Sequence, residues 1–339
     1  MTAAVSPAAL RGMLADGREL PLIDVREELI YSQGHLLLAR SAPLSRLELK
    51  FPQLVPRRTT RIVLCDGDDG LAARAAAVLA RNGYSDLHFL CGGVAAWAAA
   101  GFELFTGVNV PSKAFGEFIE HEDGTPSIGA EELARLIGAR SDVVILDSRP
   151  FDEYARVSIP SATNVPGAEL VLRALELAPA PQTLVVVNCA GRTRSIIGAQ
   201  SLINAGLPNP VAALRNGTIG WTLAGQRLDH GATRTAPRTV AESHHALALA
   251  GARAIGRRAG VRFIHPADLP GLHRPDRTTY VFDVRSAAEF AGGHLDGSRH
   301  APGGQLVQET DHYAPVRGAR IVLVDDDGVR AAMTGSWLA

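Results

Sequence analysis

A cysteine followed by a short, cationic, glycine-containing loop is the part of the sequence best suited to chemistry. The loop runs through Cys189, Ala190, Gly191, Arg192, Thr193, Arg194 and Ser195. A β-branched run precedes it and a helical pattern follows, so the thiol lies between a strand and a helix N-terminus. Inward N–H groups, the helix dipole and two guanidinium groups would all favour the thiolate, which is the reactive form. The loop is predicted to hold a nucleophile beside a small oxyanion; the alternative, a buried structural cysteine, fits the arginines less well.

Each loop residue has a predicted role and an alternative. Cys189 needs no adjacent base, because stabilisation of the thiolate is enough. Arg192 and Arg194 would clamp an anionic donor as two-pronged donors, or else be solvated charges at a helix start. Thr193 and Ser195 would donate to the sulfur or cap the helix, and both interpretations stay open.

Composition narrows the class of protein. The chain has 339 residues, 46% of them hydrophobic and 20% charged, with a net charge of −1 and three cysteines. These values favour a multidomain globular protein and give no electrostatic reason to expect nucleic acid or a membrane as partner. Sparse cysteines and the lack of a signal-peptide pattern at the N-terminus predict a cytoplasmic location. The histidines and cysteines do not cluster like ligands, so neither a metal site nor a cofactor is predicted.

The sequence contains three copies of one pattern. An apolar strand ends in Asp-x-Arg at Asp24/Arg26, Asp147/Arg149 and Asp283/Arg285. Because one of these copies has no cysteine, the pairs are predicted to be structural. A Gly-His-Leu turn contains His35 in the first copy and His294 in the third, and neither is predicted to be catalytic.

The cysteine loop recurs as well. Cys65 and Asp325 head loops that align with the Cys189 loop, and a Gly-x-x-x-Trp element ends at Trp97 and at Trp221, 124 positions later. Strands alternating with helices predict α/β domains, each a doubly wound parallel sheet flanked by helices, with ligands at the carboxyl ends of the strands. The predicted organisation is domain 1 over 1–108, a linker over 109–126, domain 2 over 127–230, a linker helix over 231–258, and domain 3 over 259–339.

These landmarks resemble the rhodanese family of sulfurtransferases, over nearly the whole chain. The resemblance implies that the loop cysteine accepts a sulfane sulfur from a donor such as thiosulfate, holds it as a persulfide and passes it to cyanide or a thiol. Arg194 lies five positions after Cys189, whereas the similar loop of tyrosine phosphatases has its arginine six positions after the cysteine. This shorter loop favours sulfur transfer over an arsenate reductase or phosphatase-like reaction. The implied partners are a small anionic sulfur donor and a thiophilic acceptor, and a homo-oligomer stays open.

The three copies are predicted to differ in activity. Asp66, Asp68 and Asp69 surround Cys65, and Gly70 is aligned with Arg194. Carboxylates disfavour a thiolate and repel an anionic donor, so Cys65 is predicted to mark a degenerate second site. Asp325 excludes covalent sulfur transfer in the third copy, which leaves domain 2 as the catalyst. The rival hypothesis is a non-enzymatic scaffold or anion-binding regulatory protein built from rhodanese repeats.

Two further expectations concern organisation. The third copy lacks a Gly-x-x-x-Trp element, so we expect the natural chain to be longer than 339 residues. The two linkers each continue from a proline into an apolar helical stretch, which predicts helices that pack against the domains.

Overall fold

The computed structural model describes residues 2–339. It contains three β-sheets flanked by helices, one for each sequence repeat. Two compact units contain them. One holds the chain up to Pro111, with Ile264–Val281 and Glu309–Val322. The other holds Ser112–Phe263, Phe282–Gln308 and Leu323–Ala339. The third repeat is therefore divided between the two units.

The first repeat forms a five-stranded sheet in the order β1-β5-β4-β2-β3, with every strand pair parallel. Its strands are β1 (Ala3–Val5), β2 (Leu22–Asp24), β3 (Ala39–Ser41), β4 (Ile62–Cys65) and β5 (Leu87–Leu90). Its helices are α1 (Pro7–Ala15), α2 (Glu28–Gln33), α3 (Leu47–Leu54), α4 (Leu71–Arg81) and α5 (Gly93–Ala99).

The second repeat has the same parallel topology, in the order β6-β10-β9-β7-β8. Its strands are β6 (Ser127–Ile128), β7 (Val143–Asp147), β8 (Thr163–Asn164), β9 (Leu184–Asn188) and β10 (Val211–Leu214). Its helices are α6 (Val110–Asp123), α7 (Ala130–Gly138), α8 (Phe151–Arg156), α9 (Leu170–Leu177), α10 (Thr193–Asn204) and α11 (Gly217–Leu223).

The third repeat forms a three-stranded sheet in the order β12-β11-β13, which matches the β8-β7-β9 part of the second sheet. Its strands are β11 (Thr279–Asp283), β12 (Arg299–His300) and β13 (Arg320–Val324). Its helices are α12 (Glu242–Arg258), α13 (Ala287–Gly292), α14 (Gly303–Gln308), α15 (Thr310–Tyr313) and α16 (Arg330–Leu338).

The central strands are buried on both faces, as expected where helices cover both sides of a parallel sheet. Val185 and Val187 of β9 belong to one apolar cluster, and Val186 belongs to the cluster on the opposite face. The doubly wound α/β class predicted from the sequence is confirmed. Rigid, doubly covered strands of this kind hold the loops at their carboxyl ends in fixed positions.

A glycine follows the end of helix α4, and the second linker forms a helix, as its sequence predicts. Helix α4 ends at Arg81, and Gly83 follows with a φ of +84°, the left-handed conformation that glycine adopts at a helix C-terminus. The second linker forms α12, whose buried Ala248 and Ala252 pack in the same apolar cluster as Leu202 and Met333 of the second unit. Across residues 2–339, none of the helices combines the length and the apolarity that spanning a bilayer requires.

Candidate active site

The candidate nucleophile lies at the carboxyl edge of the second sheet. Strand β9 ends at Asn188, which pairs with Asp147 of β7, and Cys189 follows directly. Cys189 is buried, with 2% of its surface exposed, and its Sγ lies 3.5 Å from the Oγ of Ser195. The thiol therefore faces the start of α10, as the strand–loop–helix pattern predicts.

Helix α11 fixes the loop from outside. Its Thr218 N–H donates to the carbonyl of Cys189 over 2.9 Å, and its Ile219 N–H donates to the carbonyl of Ala190 over 3.0 Å. This contact needs a glycine at position 217, where φ is +53° and a Cβ would lie 2.2 Å from the carbonyl oxygen of Cys189. With the carbonyls turned outward to α11, the loop amides are left to face the other way.

The amides of the loop form an unsatisfied donor set. Within the part of the chain that the structure describes, the N–H groups of residues 190–195 donate to no backbone or side-chain acceptor. Arg192 occupies the N-cap of α10 without a side-chain cap, so the helix start offers its orphan amides to the loop. Such a cluster of N–H groups at a helix N-terminus binds anions.

Ser195 connects the sulfur to the loop backbone. Its side chain is buried, accepts from the Cys189 thiol and donates to the carbonyl of Arg192 over 2.7 Å. A hydroxyl rotates freely enough to donate to sulfur instead once the thiol loses its proton. Thr193 packs against Gly116 of α6, where a Cβ would lie 2.9 Å from its Cγ2. Neither residue caps the helix.

Arg194 is held in a two-pronged ion pair. It donates to both carboxylate oxygens of Glu153, over 2.9 and 2.8 Å, and to the Oε1 of Gln305 over 3.1 Å. Burial on its own lowers the pKa of Arg194, but the bond to Glu153 and the nearby Cys189 raise that pKa above its ordinary value. The guanidinium is thus a fixed positive charge within electrostatic reach of the thiol.

Arg192 points elsewhere. Its exposed guanidinium donates to Glu120 and, over 3.4 Å, to Glu117, both on α6. Exposed ion pairs of this kind contribute little energy, so this arginine is the more easily displaced of the two. The sequence did not single out Glu153, Gln305 or the glutamates of α6, and it marked Gly217 only as the glycine of the Gly-x-x-x-Trp element.

Comparison with known proteins places the chain in a family. The profile of the rhodanese-like domain matches residues 6–100, 129–224 and 269–339. The chain belongs to the rhodanese-like domain family. The rhodanese-like resemblance expected from the motifs is confirmed.

Individual relatives are similar over different lengths. A crystal structure of thiosulfate sulfurtransferase from Pseudomonas aeruginosa is 58% identical, with a TM-score of 0.97, and covers 99% of this chain and 64% of that chain. A thiosulfate sulfurtransferase of Pseudomonas aeruginosa is 31% identical over 170 residues, which are 44% of this chain and 62% of that protein. One from Azotobacter vinelandii is 26% identical over 212 residues, 57% of this chain and 77% of that protein. The chain thus spans less than two thirds of the crystallised chain and of the first of these two relatives.

The Asp-x-Arg pair of each rhodanese-like repeat is structural, as predicted. In the second repeat, Arg149 donates to Asp147 over 2.9 and 2.7 Å, and to the carbonyl of Val157 over 2.7 Å. The Asn188 side chain donates to the same carboxylate over 2.9 Å. The equivalent pairs of the other two repeats make the same bonds, including the one to a carbonyl eight residues later. The motif ties a strand end to the loop that follows it.

The alignment of Cys65 with Cys189 is wrong by one residue. Strand β2 pairs Asp24 with Cys65, whereas β7 pairs Asp147 with Asn188. Cys65 is therefore the equivalent of Asn188 and ends a buried strand instead of heading the loop. Burial, with Asp24 beside it, raises the pKa of the Cys65 thiol well above its ordinary value. That thiol lacks the setting of a nucleophile.

Asp66 takes the place of the cysteine in the first repeat. It accepts from the N–H of Asp68 over 2.9 Å and from that of Ala72 over 2.8 Å. The same register places Leu71, and not Gly70, in the position of Arg194. The first loop therefore has neither the thiol nor the fixed cation of the second, and its own carboxylate accepts from the loop amides.

The third repeat replaces the cysteine in the same manner. Asp325, correctly aligned with Cys189, accepts from the N–H of Ala331 over 2.9 Å. Asp327 accepts from the N–H groups of Val329 and Arg330 over 2.7 and 3.0 Å. In both acidic loops, internal carboxylates satisfy amides that the Cys189 loop leaves free.

Proposed function

We propose that this chain is a sulfurtransferase that moves a sulfane sulfur through a persulfide on Cys189. One observation carries the proposal: of the three equivalent loops, the second alone has a thiol at its head, and its amides have no acceptor in the described chain. An amide cluster beside a thiol suits a nucleophile that attacks an anion. The activity named for the similar proteins of Pseudomonas aeruginosa and Azotobacter vinelandii supports the same reaction class.

The proposed first half-reaction loads the cysteine. The Cys189 thiolate attacks the sulfane sulfur of thiosulfate or a similar donor, a new S–S bond forms, and the old S–S bond breaks. Sulfite leaves with the electron pair of the broken bond, so no oxidant is consumed. The free amides of residues 190–195 would bind the anion and then the negative outer sulfur of the persulfide.

The second half-reaction unloads it. Cyanide or a thiolate attacks the outer sulfur, which leaves the cysteine as a thiolate ready for another cycle. Ser195 would donate its hydroxyl hydrogen to the thiolate that this step regenerates, since its Oγ lies 3.5 Å from the Sγ of Cys189. Both half-reactions need an anion-stabilising loop and no metal or organic cofactor.

The remaining site residues have proposed parts in donor binding. Gly191 lets the backbone approach the anion, and Ala190 and Thr193 contribute amides beside it. Arg194 supplies fixed positive charge from its position on Glu153, whereas Arg192 would have to leave Glu120 to reach a donor. We therefore give Arg194 the larger share.

The proposed reaction also implies the chemical class of the donor and acceptor and a location for the protein. The donor is small and anionic and the acceptor thiophilic, and three sparse cysteines suit the reducing cytoplasm. The division into domains over 1–108, 127–230 and 259–339, joined by linkers over 109–126 and 231–258, is retained as the functional division, with catalysis in the second.

Thiosulfate-dependent formation of thiocyanate by the purified chain tests the function. Cys189→Ser, Cys65→Ser and the unaltered chain are compared, and mass spectrometry maps any added sulfur after donor alone. We expect activity and the sulfur to be lost in Cys189→Ser and kept in Cys65→Ser. No sulfur uptake by the unaltered chain would instead support the scaffold hypothesis.

A further inference from the structure

The second and third rhodanese-like repeats meet, within the second compact unit, through equivalent residues. Arg194 bonds Glu153 of its own repeat and Gln305 of the third. Arg330, which is 136 positions after Arg194, bonds its own Glu289 and, over 2.6 Å, Glu169 of the second repeat. Glu153 and Glu289, and likewise Glu169 and Gln305, are also 136 positions apart. The two contacts are therefore equivalent: Gln305 of the third repeat accepts from Arg194, and Glu169 of the second repeat accepts from Arg330.

Glycines at the centre of this contact bring the two backbones together. A Cβ on Gly304 would lie 3.0 Å from the Cα of Gly167, and one on Gly167 would lie 3.2 Å from the Cα of Gly304. A reciprocal contact of this kind is the arrangement of a two-fold interface between identical subunits, here formed by two repeats of one chain. Its close packing fixes the position of Gln305 over Arg194.

The two halves of the contact differ in charge. Arg330 is paired with four carboxylates: Glu169, Glu289, Asp326 and Asp327. Arg194 is paired with one carboxylate, and the acceptor supplied by the other repeat is a neutral amide. The arginine beside the acidic loop is over-neutralised, whereas the arginine beside the cysteine is not.

We propose that Gln305 is a positioning residue that orients Arg194 through a neutral hydrogen bond and so preserves positive potential at Cys189 for an anionic sulfur donor. This inference rests on the proposed function. It gives the third repeat, which has no nucleophile, a part in the chemistry of the second. A glutamate at this position, as at 169, would hold Arg194 equally well but add a second negative charge beside Glu153, which would make the group net negative.

The field at the thiol can be measured without sulfur transfer. Iodoacetate, an anion, and iodoacetamide, which is neutral, alkylate the same thiolate, so the ratio of their rates at Cys189 reports the local potential. Peptide mass spectrometry separates this site from Cys65 and the exposed Cys91. We expect Gln305→Glu to lower the ratio by about threefold or more at low ionic strength, and less at high salt.

Two variants serve as controls. Gln182→Glu makes the same charge change just before β9, at the end of that strand remote from Cys189. The five residues of the strand put the new charge farther from the thiol than a Debye length of roughly 8–10 Å, so the ratio should be unchanged. Gln305→Leu removes the hydrogen bond without adding charge. It should raise the KM for thiosulfate while changing the alkylation ratio less than Gln305→Glu does.

The outcomes separate this inference from the function on which it rests. An alkylation ratio in Gln305→Glu equal to that in Gln182→Glu would overturn the inference even if sulfur transfer is active. Failure of both reagents to alkylate Cys189 would also overturn it, because the proposal requires a thiol that small anions reach. A lowered ratio in a chain that takes up no sulfur would uphold the electrostatic role and reject the sulfurtransferase.

Discussion

Replacement of Gly217 by alanine tests whether the position of the loop controls the chemistry. Gly217 begins α11 with a φ of +53°, and the added Cβ would lie 2.2 Å from the carbonyl oxygen of Cys189 and 2.7 Å from that of Gly191. An ordinary contact begins near 3.4 Å, so the loop or the helix must move by about 1 Å. The movement falls on the residue that bears the thiol.

The expected magnitude has two parts. The left-handed backbone alone costs an alanine about 1–2 kcal/mol. A displacement of about 1 Å at a reacting group lowers rates by roughly a hundredfold. Gly217→Ala should therefore lose sulfur uptake far beyond what its loss of stability would explain.

Gly225→Ala is the matched control. Gly225 has a φ of +71°, but a Cβ there would meet no atom within 4 Å, so the substitution imposes the backbone strain without the clash. Urea midpoints and single-turnover sulfur uptake from thiosulfate are measured for both variants. We expect Gly225→Ala to lose a little stability, as its backbone strain requires, and to take up sulfur at the normal rate. We expect Gly217→Ala to show a large loss of sulfur uptake.

Either of two results would refute the reasoning. Uptake by Gly217→Ala within about twofold of the unaltered chain would mean that the loop tolerates the shift, contrary to the general sensitivity of reacting groups to such displacements. Equal loss of uptake in Gly225→Ala would trace the effect to backbone strain and not to the contact with the loop.

Three further predictions concern single side chains. Ser195→Ala should slow persulfide formation by about tenfold and cost about 1 kcal/mol, since it removes the partner of Cys189 and of the Arg192 carbonyl; rapid-quench sulfur uptake and urea unfolding check this. Arg194→Lys should lower kcat/KM for thiosulfate tenfold or more, because lysine cannot reproduce the two-pronged pair, whereas Arg192→Lys should change it less than about twofold. Burial and Asp327 raise the pKa of Asp325 to about 6 from 3.8, so the folded chain holds this proton more tightly than the unfolded chain, and the resulting stability is lost as pH rises through that interval. Asp325→Asn should therefore flatten the fall in unfolding free energy over that interval, by up to roughly 3 kcal/mol; an undiminished slope would contradict it.

Local patterns predicted the fold and the head of the site. The β-branched run before Cys189, the glycine and the helical pattern after it lie in one continuous stretch, and the structure forms β9, the loop and α10 from that stretch. The Asp-x-Arg pairs could likewise be assigned because their partners are two residues apart. Neighbouring residues carry their own signal.

Register and long-range partners were harder to predict. The landmarks in the first two copies are 123 positions apart at Asp24 and Asp147 but 124 apart at Trp97 and Trp221. Use of the larger offset at the loop aligned Cys65 with Cys189, whereas its true equivalent is Asn188. Only strand pairing resolves such a slip, because one residue exchanges the two faces of a strand. Glu153 is 41 positions from Arg194, although its recurrence as Glu289 in the third copy was a usable signal.

The three loops suggest why repeats without a nucleophile keep the shape of one. A loop that turns its amides inward must satisfy them, because unpaired buried donors cost free energy. Asp66 and Asp325 supply a carboxylate from within the chain, so those loops are closed and stable without a ligand. The Cys189 loop has no such internal anion and leaves its amides to an external one. An aspartate in the position of the cysteine thus lacks a thiol and also satisfies part of the amide cluster, and in the third repeat Asp327 satisfies two more of its amides. Such a loop keeps its shape without a ligand, which is why a repeat can retain the fold without the thiol.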